Sequence, residues 1–148
     1  MLLRRDRTMI AILIMLDVAF HAGRNGTISA ADIAERAGLA RRGIEPLLQT
    51  LSRSGLLESV RGPRGGYRLG RPRRDILLAD ILSVITAEDN RDDGPVGDLF
   101  NKVVEPCWQQ FDSMIDAECH KISLDDLVRR AEHAGMRRPL PEPITFSI

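Results

Sequence analysis

Arg61-Gly-Pro-Arg-Gly-Gly66 separates two short runs, Leu56 to Val60 and Tyr67 to Leu69, and Pro72 closes the second because it has no N–H to give to a ladder. A glycine-rich tip between two such runs reads as a β-hairpin. What precedes it narrows the fold further. Ser29-Ala-Ala-Asp32 has the form of a capped helix start, with the Ser29 hydroxyl placed to accept from the backbone three residues on. That helix, Ala30 to Ala37, stops at Gly38. One turn later a second helix runs from about Ala40 to Ser54, with Ile44, Leu47, Leu48 and Leu51 on one face and Gly55 after its end. Two short helices joined by a tight turn form a helix-turn-helix, and a hairpin directly after the second is the wing of a winged helix.

The rest of the chain reads as helix. Residues 4 to about 22 step around helical turns through Ile10, Leu13, Ile14, Val18 and His21 until Gly23. Ile76 to Ile85 gives a fourth helix. Ala87 to Pro95 is polar, charged and ends in Gly-Pro, so it reads as an exposed loop. From Val96, apolar residues recur every three or four positions through Leu99, Phe100, Val103, Cys107, Phe111, Met114 and Ile115, which predicts an amphipathic helix of more than twenty residues. Pro106 is expected to kink or divide it. Ser123-Leu-Asp-Asp126 caps a last helix ending near Ala134, and a proline-containing tail follows from Arg137. The expected class is mainly α: a winged helix-turn-helix over residues 1–86, a linker over 87–95, a helical dimerisation region over 96–136 and a tail over 137–148. The long apolar stripe is assigned to dimerisation because one small domain cannot easily cover it alone.

With 21 basic and 21 acidic residues the chain is neutral, which by itself argues against nucleic acid. The distribution argues otherwise. Residues 1–75 hold fourteen Arg and no Lys against seven acids, and residues 76–148 hold the other seven basic and fourteen acidic groups, so the halves carry about +7 and −7. Arg41-Arg42-Gly43 opens the second helix of the helix-turn-helix, the end that enters a major groove in this motif. On the hairpin, Arg61, Arg64 and Arg68 accompany Gly65, Gly66 and Tyr67, and glycine lets the backbone approach a ligand closely. With Ser29 at the cap before the first helix, these residues are the expected contacts to double-stranded DNA.

Arg4-Arg5 before Met9 to Leu16 resembles the start of a secretory signal, but Asp17 interrupts the apolar run after eight residues. The expectation is a cytoplasmic protein with no membrane partner. No nucleophile elbow, P-loop, H-E-x-x-H or C-x-x-C is present, so no enzymatic activity is expected. His21 and His133 sit near helix ends, where they act more simply as caps than as ligands.

Arg61-Gly-Pro-Arg-Gly-Gly-Tyr-Arg-Leu-Gly-Arg-Pro72 resembles the wing of the Rrf-two (Rrf2) family of bacterial transcription regulators, commonly RGPxGGYxLxRP. Met15 to Ala19, Ile33 to Arg36, Ser54-Gly-Leu56, Ala79-Asp-Ile81, Trp108 and Ile122 to Leu127 fall in that family's order. The resemblance implies a homodimer on a near-palindromic operator, paired through the long helix. It also raises an iron–sulfur cluster, since several members hold one on three cysteines between the fourth helix and the dimer helix. Glu88 to Pro106 contains neither Cys nor His. The expectation is therefore no cluster and no other cofactor, with any small-molecule or protein effector left open. Cys107 lies on the apolar stripe, where a small core residue is the simplest reading. Cys107 and Cys119 remain candidate redox groups. The alternatives are a metal or redox sensor using Cys107, Cys119 and His120, or a winged helix that binds protein instead of DNA.

Overall fold

A computed structural model describes residues 7–23, 26–88 and 94–138. Helix α1 spans Arg7–His21, α2 Ala30–Ala37 and α3 Arg41–Arg53. Strands β1 (Leu57–Val60) and β2 (Gly66–Leu69) pair antiparallel, and a 3-10 turn at Arg73–Asp75 leads into α4 (Leu78–Ala87). After the linker, a π-helical turn at Phe100–Val104 runs directly into α5 (Glu105–Cys119), and α6 (Leu124–His133) ends the described fold.

The core forms around α1. Ala11, Ile14, Met15 and Val18 recur at helical spacing and are all buried, meeting Ile33 of α2, Ile44, Leu48 and Leu51 of α3, and Ile81 and Ile85 of α4. Ser29 caps α2 as expected, its hydroxyl accepting from the Asp32 N–H at 3.1 Å. Gly38 ends that helix in the left-handed region at φ 66°, which glycine enters without a Cβ penalty. One polar link crosses the core edge. Arg36 on α2 grips the buried Asp17 carboxylate of α1 through Nε and Nη2, at 2.8 and 2.7 Å.

The wing is fastened at its base. Leu57 faces Leu69, Ser59 faces Tyr67 and Val60 faces Gly66. Ile28, in the loop before α2, adds a single-residue bridge: its N–H donates to the Tyr67 carbonyl at 2.9 Å and its carbonyl accepts from Tyr67 N–H at 2.8 Å. Both glycines of the tip are needed for this packing. A Cβ on Gly66 would lie 2.6 Å from the Ile28 carbonyl oxygen, and one on Gly65 would lie 2.6 Å from that of Val60.

Three expectations change. The fourth helix begins at Leu78, not Ile76, because Ile76 and Leu77 are drawn into extended contact with the start of α6: Leu124 N–H donates to the Ile76 carbonyl at 2.8 Å and Leu78 N–H to that of Ile122 at 2.9 Å. Through this contact Leu124 and Val128 of α6 return to the α1 core, which local periodicity could not reveal. Of the kink or division expected at Pro106, division does not occur, but the helix departs from α geometry just before it. The π turn before it closes over five residues, Glu105 N–H donating to the Phe100 carbonyl, and this wider turn accommodates a residue that offers no N–H. Finally, Cys107 is exposed in the protomer, while Cys119 is buried against Ala79 and Leu82 of α4.

Among the described residues no helix is long and apolar enough to cross a membrane.

Candidate nucleic-acid interface

Residues 41, 45 and 49 are four apart, so α3 presents Arg41, Glu45 and Gln49 on one exposed face. Opposite them stand Ser59 and Tyr67, a facing pair on the hairpin, with Gly65 and Gly66 at its turn. Between these walls is a recess of about 390 Å³ that is closed at one end by Ser29 and Ala30 at the start of α2. The Arg41 guanidinium and the hydroxyls of Ser29, Ser59 and Tyr67 thus line one concave surface. That is a donor-rich arrangement suited to phosphate and to base edges.

The recess brings together Ser29, Arg41, Gly65, Gly66 and Tyr67 from the expected set. Arg42 and Gly43 are exposed on the first turn of α3, outside the recess. No side chain caps that turn, since Ala40 occupies the cap position; Gly43 N–H donates to the Ala40 carbonyl at 2.9 Å, which leaves the N–H groups of Arg41 and Arg42 to face an anion. Arg61 and Arg64 are exposed on the wing, and the Thr27 hydroxyl donates to the Arg64 carbonyl at 2.7 Å, which ties the tip to the loop before α2.

Arg68 is placed apart. It follows Tyr67 on β2, so it points to the other face of the hairpin, where its Nη2 donates to Glu58 Oε1 at 2.8 Å. That hydrogen bond, with the charge attraction behind it, holds the Glu58 carboxyl below its usual range and raises the Arg68 guanidinium.

Sequence reading missed Glu45 and Gln49. Their signal was available in the four-residue spacing from Arg41. Arg41 Nε donates to Glu45 Oε1 at 3.0 Å, so in the free protein the two side chains hold each other over the recess. A carboxylate there can accept from the exocyclic amine of cytosine, while arginine matches guanine.

The residues expected to dimerise lie elsewhere, on the rod formed by the π turn and α5 and the residues just before them. Leu99, Val103, Phe111 and Met114 are exposed, with Leu99 at 81 %, and Trp108 packs edge-on to Phe111. Phe100 and Ile115 are half-buried. Cys107 shares this exposed rod. Cys119, at its far end, is shielded, and burial pushes its thiol up, with Asp116 and Glu118 adding to the effect.

Comparison with known proteins agrees with this geometry. The family model of Rrf2, described as an iron-dependent transcriptional regulator, matches residues 4–130. The HTH-type transcriptional regulator IscR of Xenorhabdus nematophila is 35 % identical over 126 residues, covering 82 % of this chain and 76 % of that protein. Among solved structures, T. potens IscR is 32 % identical with a TM-score of 0.73, covering 93 % of this chain and 94 % of that one. CymR, the global cysteine regulator of B. subtilis, shares the fold at 24 % identity and a TM-score of 0.69, covering 88 % of this chain and 98 % of that one.

Proposed function

Because the chain belongs to the Rrf2 family of transcriptional regulators, we propose that it binds a near-palindromic operator as a homodimer, reading the duplex with α3 and steadying it with the wing. The observation that carries this reading is the recess walled by Arg41, Glu45 and Gln49 on one side and by the glycine turn on the other. Arg41 and Arg42 enter the major groove at the open N-terminus of α3. Arg61 and Arg64 lie against the flanking backbone or minor groove. The exposed apolar rod from Leu99 to Met114 pairs two protomers and so fixes the distance between two reading heads.

The experiment is direct. Duplex fragments from the promoter region upstream of the chain's own gene, titrated with protein at several salt concentrations, are expected to bind with a steep negative dependence of log K on log salt, since each neutralised phosphate releases a counterion. Binding without salt dependence, or no binding to any fragment, would leave the winged helix as a protein-interaction module.

The family's description names iron, and the residues of this chain do not fit a cluster of that kind. Soft thiolates in close geometry are required. Cys107 and Cys119 lie twelve positions apart on one helix, which separates their Cα atoms by about 18 Å, and one is exposed where the other is buried. Among the described residues no three His, Cys, Asp or Glu side chains converge at metal-binding distance. We therefore infer regulation without an iron–sulfur cluster. Iron and sulfide assay of protein purified without oxygen, together with its visible spectrum, tests this: stoichiometric iron and sulfide would refute it.

A further inference from the structure

Behind the hairpin, on the face opposite the recess, β2, the 3-10 turn, the end of α1 and the outer side of α6 enclose a second and larger concavity of about 920 Å³. It shares no lining residue with the recess between α3 and the wing. Its rim carries Arg68, Arg71, Arg73, Arg74, Arg129 and Arg138, with Asp125 as the one carboxylate in the lining. Part of that charge is answered. Asp125 forms ion pairs with Arg73 at 2.6 Å and with Arg129 at 3.0 Å, Glu58 pairs with Arg68, and Glu132 pairs with Arg138. Arg71 comes only within 4.0 Å of Asp80, and among the described residues Arg74 has no carboxylate at ion-pair distance. Six guanidinium groups face four nearby carboxylates, so the groove keeps a positive excess: Arg73 and Arg129 share one carboxylate, Arg71 is the most loosely paired, and Arg74 has no carboxylate at that distance among the described residues.

Its floor differs in kind. Val18 and Ala19 of α1 are buried in its lining, with Ala22 and, from β2, Leu69 half-buried beside them. A wall of small apolar groups under a rim of planar, bidentate donors suits a molecule that has both a hydrocarbon body and an anionic head. It suits bare phosphate poorly, because the floor would remain unfilled, and it suits duplex backbone poorly, because a convex duplex cannot reach the base of a groove. The volume lies within the common range of small-ligand pockets, about 300–1,000 Å³.

We propose that this groove is a binding site for a small organic anion, a carboxylate or phosphate ester with an aromatic or aliphatic body, held by Arg71 and Arg74 at its head and by Ala19, Ala22 and Leu69 along its body. The site bridges the base of the wing, the end of α1 and α6, so an occupant would tie together elements that also position the reading head. The proposal stands on the groove alone and does not require that the chain bind DNA.

Calorimetric titration of the full chain with phenyl phosphate and with benzoate, against inorganic phosphate at matched ionic strength, tests it. At least one organic probe is expected to bind saturably at about one per chain and at least about tenfold more tightly than inorganic phosphate. Arg74→Gln and Arg71→Gln are exposed changes expected to melt as the wild type does, and each should weaken that binding by about tenfold. Three results would overturn the proposal: no saturable binding of either organic probe below about 10 mM, binding unchanged in both variants, or inorganic phosphate binding as tightly as the esters. Loss of duplex affinity in both variants with no binding of the small probes would likewise overturn it, and would assign the arginines to the DNA contact.

Discussion

Arg36 holds Asp17 with two parallel hydrogen bonds, Nε to Oδ2 at 2.8 Å and Nη2 to Oδ1 at 2.7 Å, and so locks α2 to α1 at a carboxylate that is only 9 % exposed. The hydrogen bond from Asp17, ahead of the cost of burial, raises the Arg36 guanidinium above its ordinary value. The pair sits at the edge of the core that orients the helix-turn-helix. Arg36→Ala leaves the buried carboxylate with only His21, whose Nδ1 stands 3.5 Å from Oδ2, and is expected to cost about 1–3 kcal/mol, less than a fully buried pair because the guanidinium is partly solvated. Asp17→Asn should cost less, since the amide keeps one acceptor. Urea unfolding of both single variants and the double variant measures the coupling. Additive losses would mean the pair contributes no interaction of its own.

Glu88 supplies a pH signature. Its carboxylate accepts from the Thr50 hydroxyl of α3 at 2.8 Å and pairs with Arg7 of α1, and the Thr50 hydrogen bond, followed by Arg7, lowers its pKa below the ordinary 4.5. A depressed folded pKa contributes stability that is fully present above the unfolded value and is lost as pH falls through the folded one. The stability difference between wild type and Glu88→Gln is therefore expected to be constant above about pH 5.5 and to shrink below about pH 4.5. Denaturation midpoints at four or five pH values test the sign, and a difference that grows on acidification would contradict the assignment.

At the wing, Gly66→Ala should act through the backbone. A Cβ would stand 2.6 Å from the Ile28 carbonyl oxygen, so the Ile28–Tyr67 bridge must open to admit it. A loss of about 1–3 kcal/mol in stability is expected, together with faster amide exchange at Tyr67. Unchanged exchange at Tyr67 would show that the hairpin base does not depend on this bridge.

The reading head separates two kinds of arginine. Arg41→Ala is expected to cost about 1–3 kcal/mol on the preferred operator and to relax the preference at one base pair, whereas Arg64→Ala should weaken all duplexes alike and reduce the salt slope by about one unit. Glu45→Ala should change which base is tolerated more than it changes overall affinity, because it removes an acceptor and frees Arg41. Binding measured on a panel of single-base operator variants at two salt concentrations distinguishes these effects.

For assembly, Phe111→Glu places a charge on an exposed apolar rod that the protomer does not cover. Sedimentation is expected to show a wild-type dimer and a monomeric variant, with operator affinity lost in parallel. A wild-type monomer that binds a palindrome tightly would remove the rod from the interface.

Much of this molecule was legible in its sequence wherever the signal is local. Ser29, Gly38 and Gly55 mark helix ends by backbone chemistry, and Arg61 to Gly66 marks a hairpin tip by the same means. What stayed hidden depends on distant partners. Ile76 and Leu77 have the spacing of a helix, yet they extend because Leu124 N–H takes the Ile76 carbonyl and the Ile122 carbonyl takes the Leu78 N–H. Cys119 gives no sequence sign that α4 will cover it. The direction of Arg68 was readable in principle, since neighbours on a strand point to opposite faces, but the charge count outweighed the pleat. Glu45 and Gln49 are harder to single out for a related reason: cations announce a nucleic-acid surface by charge, whereas the acceptors beside them carry no such signal.

Among the described residues, the long rod touches its own protomer mainly at one end, where Cys119 and Ile115 meet α4, and its opposite end from Val96 to Val104 is largely exposed. A rod held like a cantilever is as stable as whatever steadies its free end. If a second protomer does so, dilution loosens the rod before it loosens the core, and occupancy of an operator then rises more steeply than linearly with the amount of protein. A modest change in expression level would produce a disproportionate change in the regulated genes, with no ligand taking part.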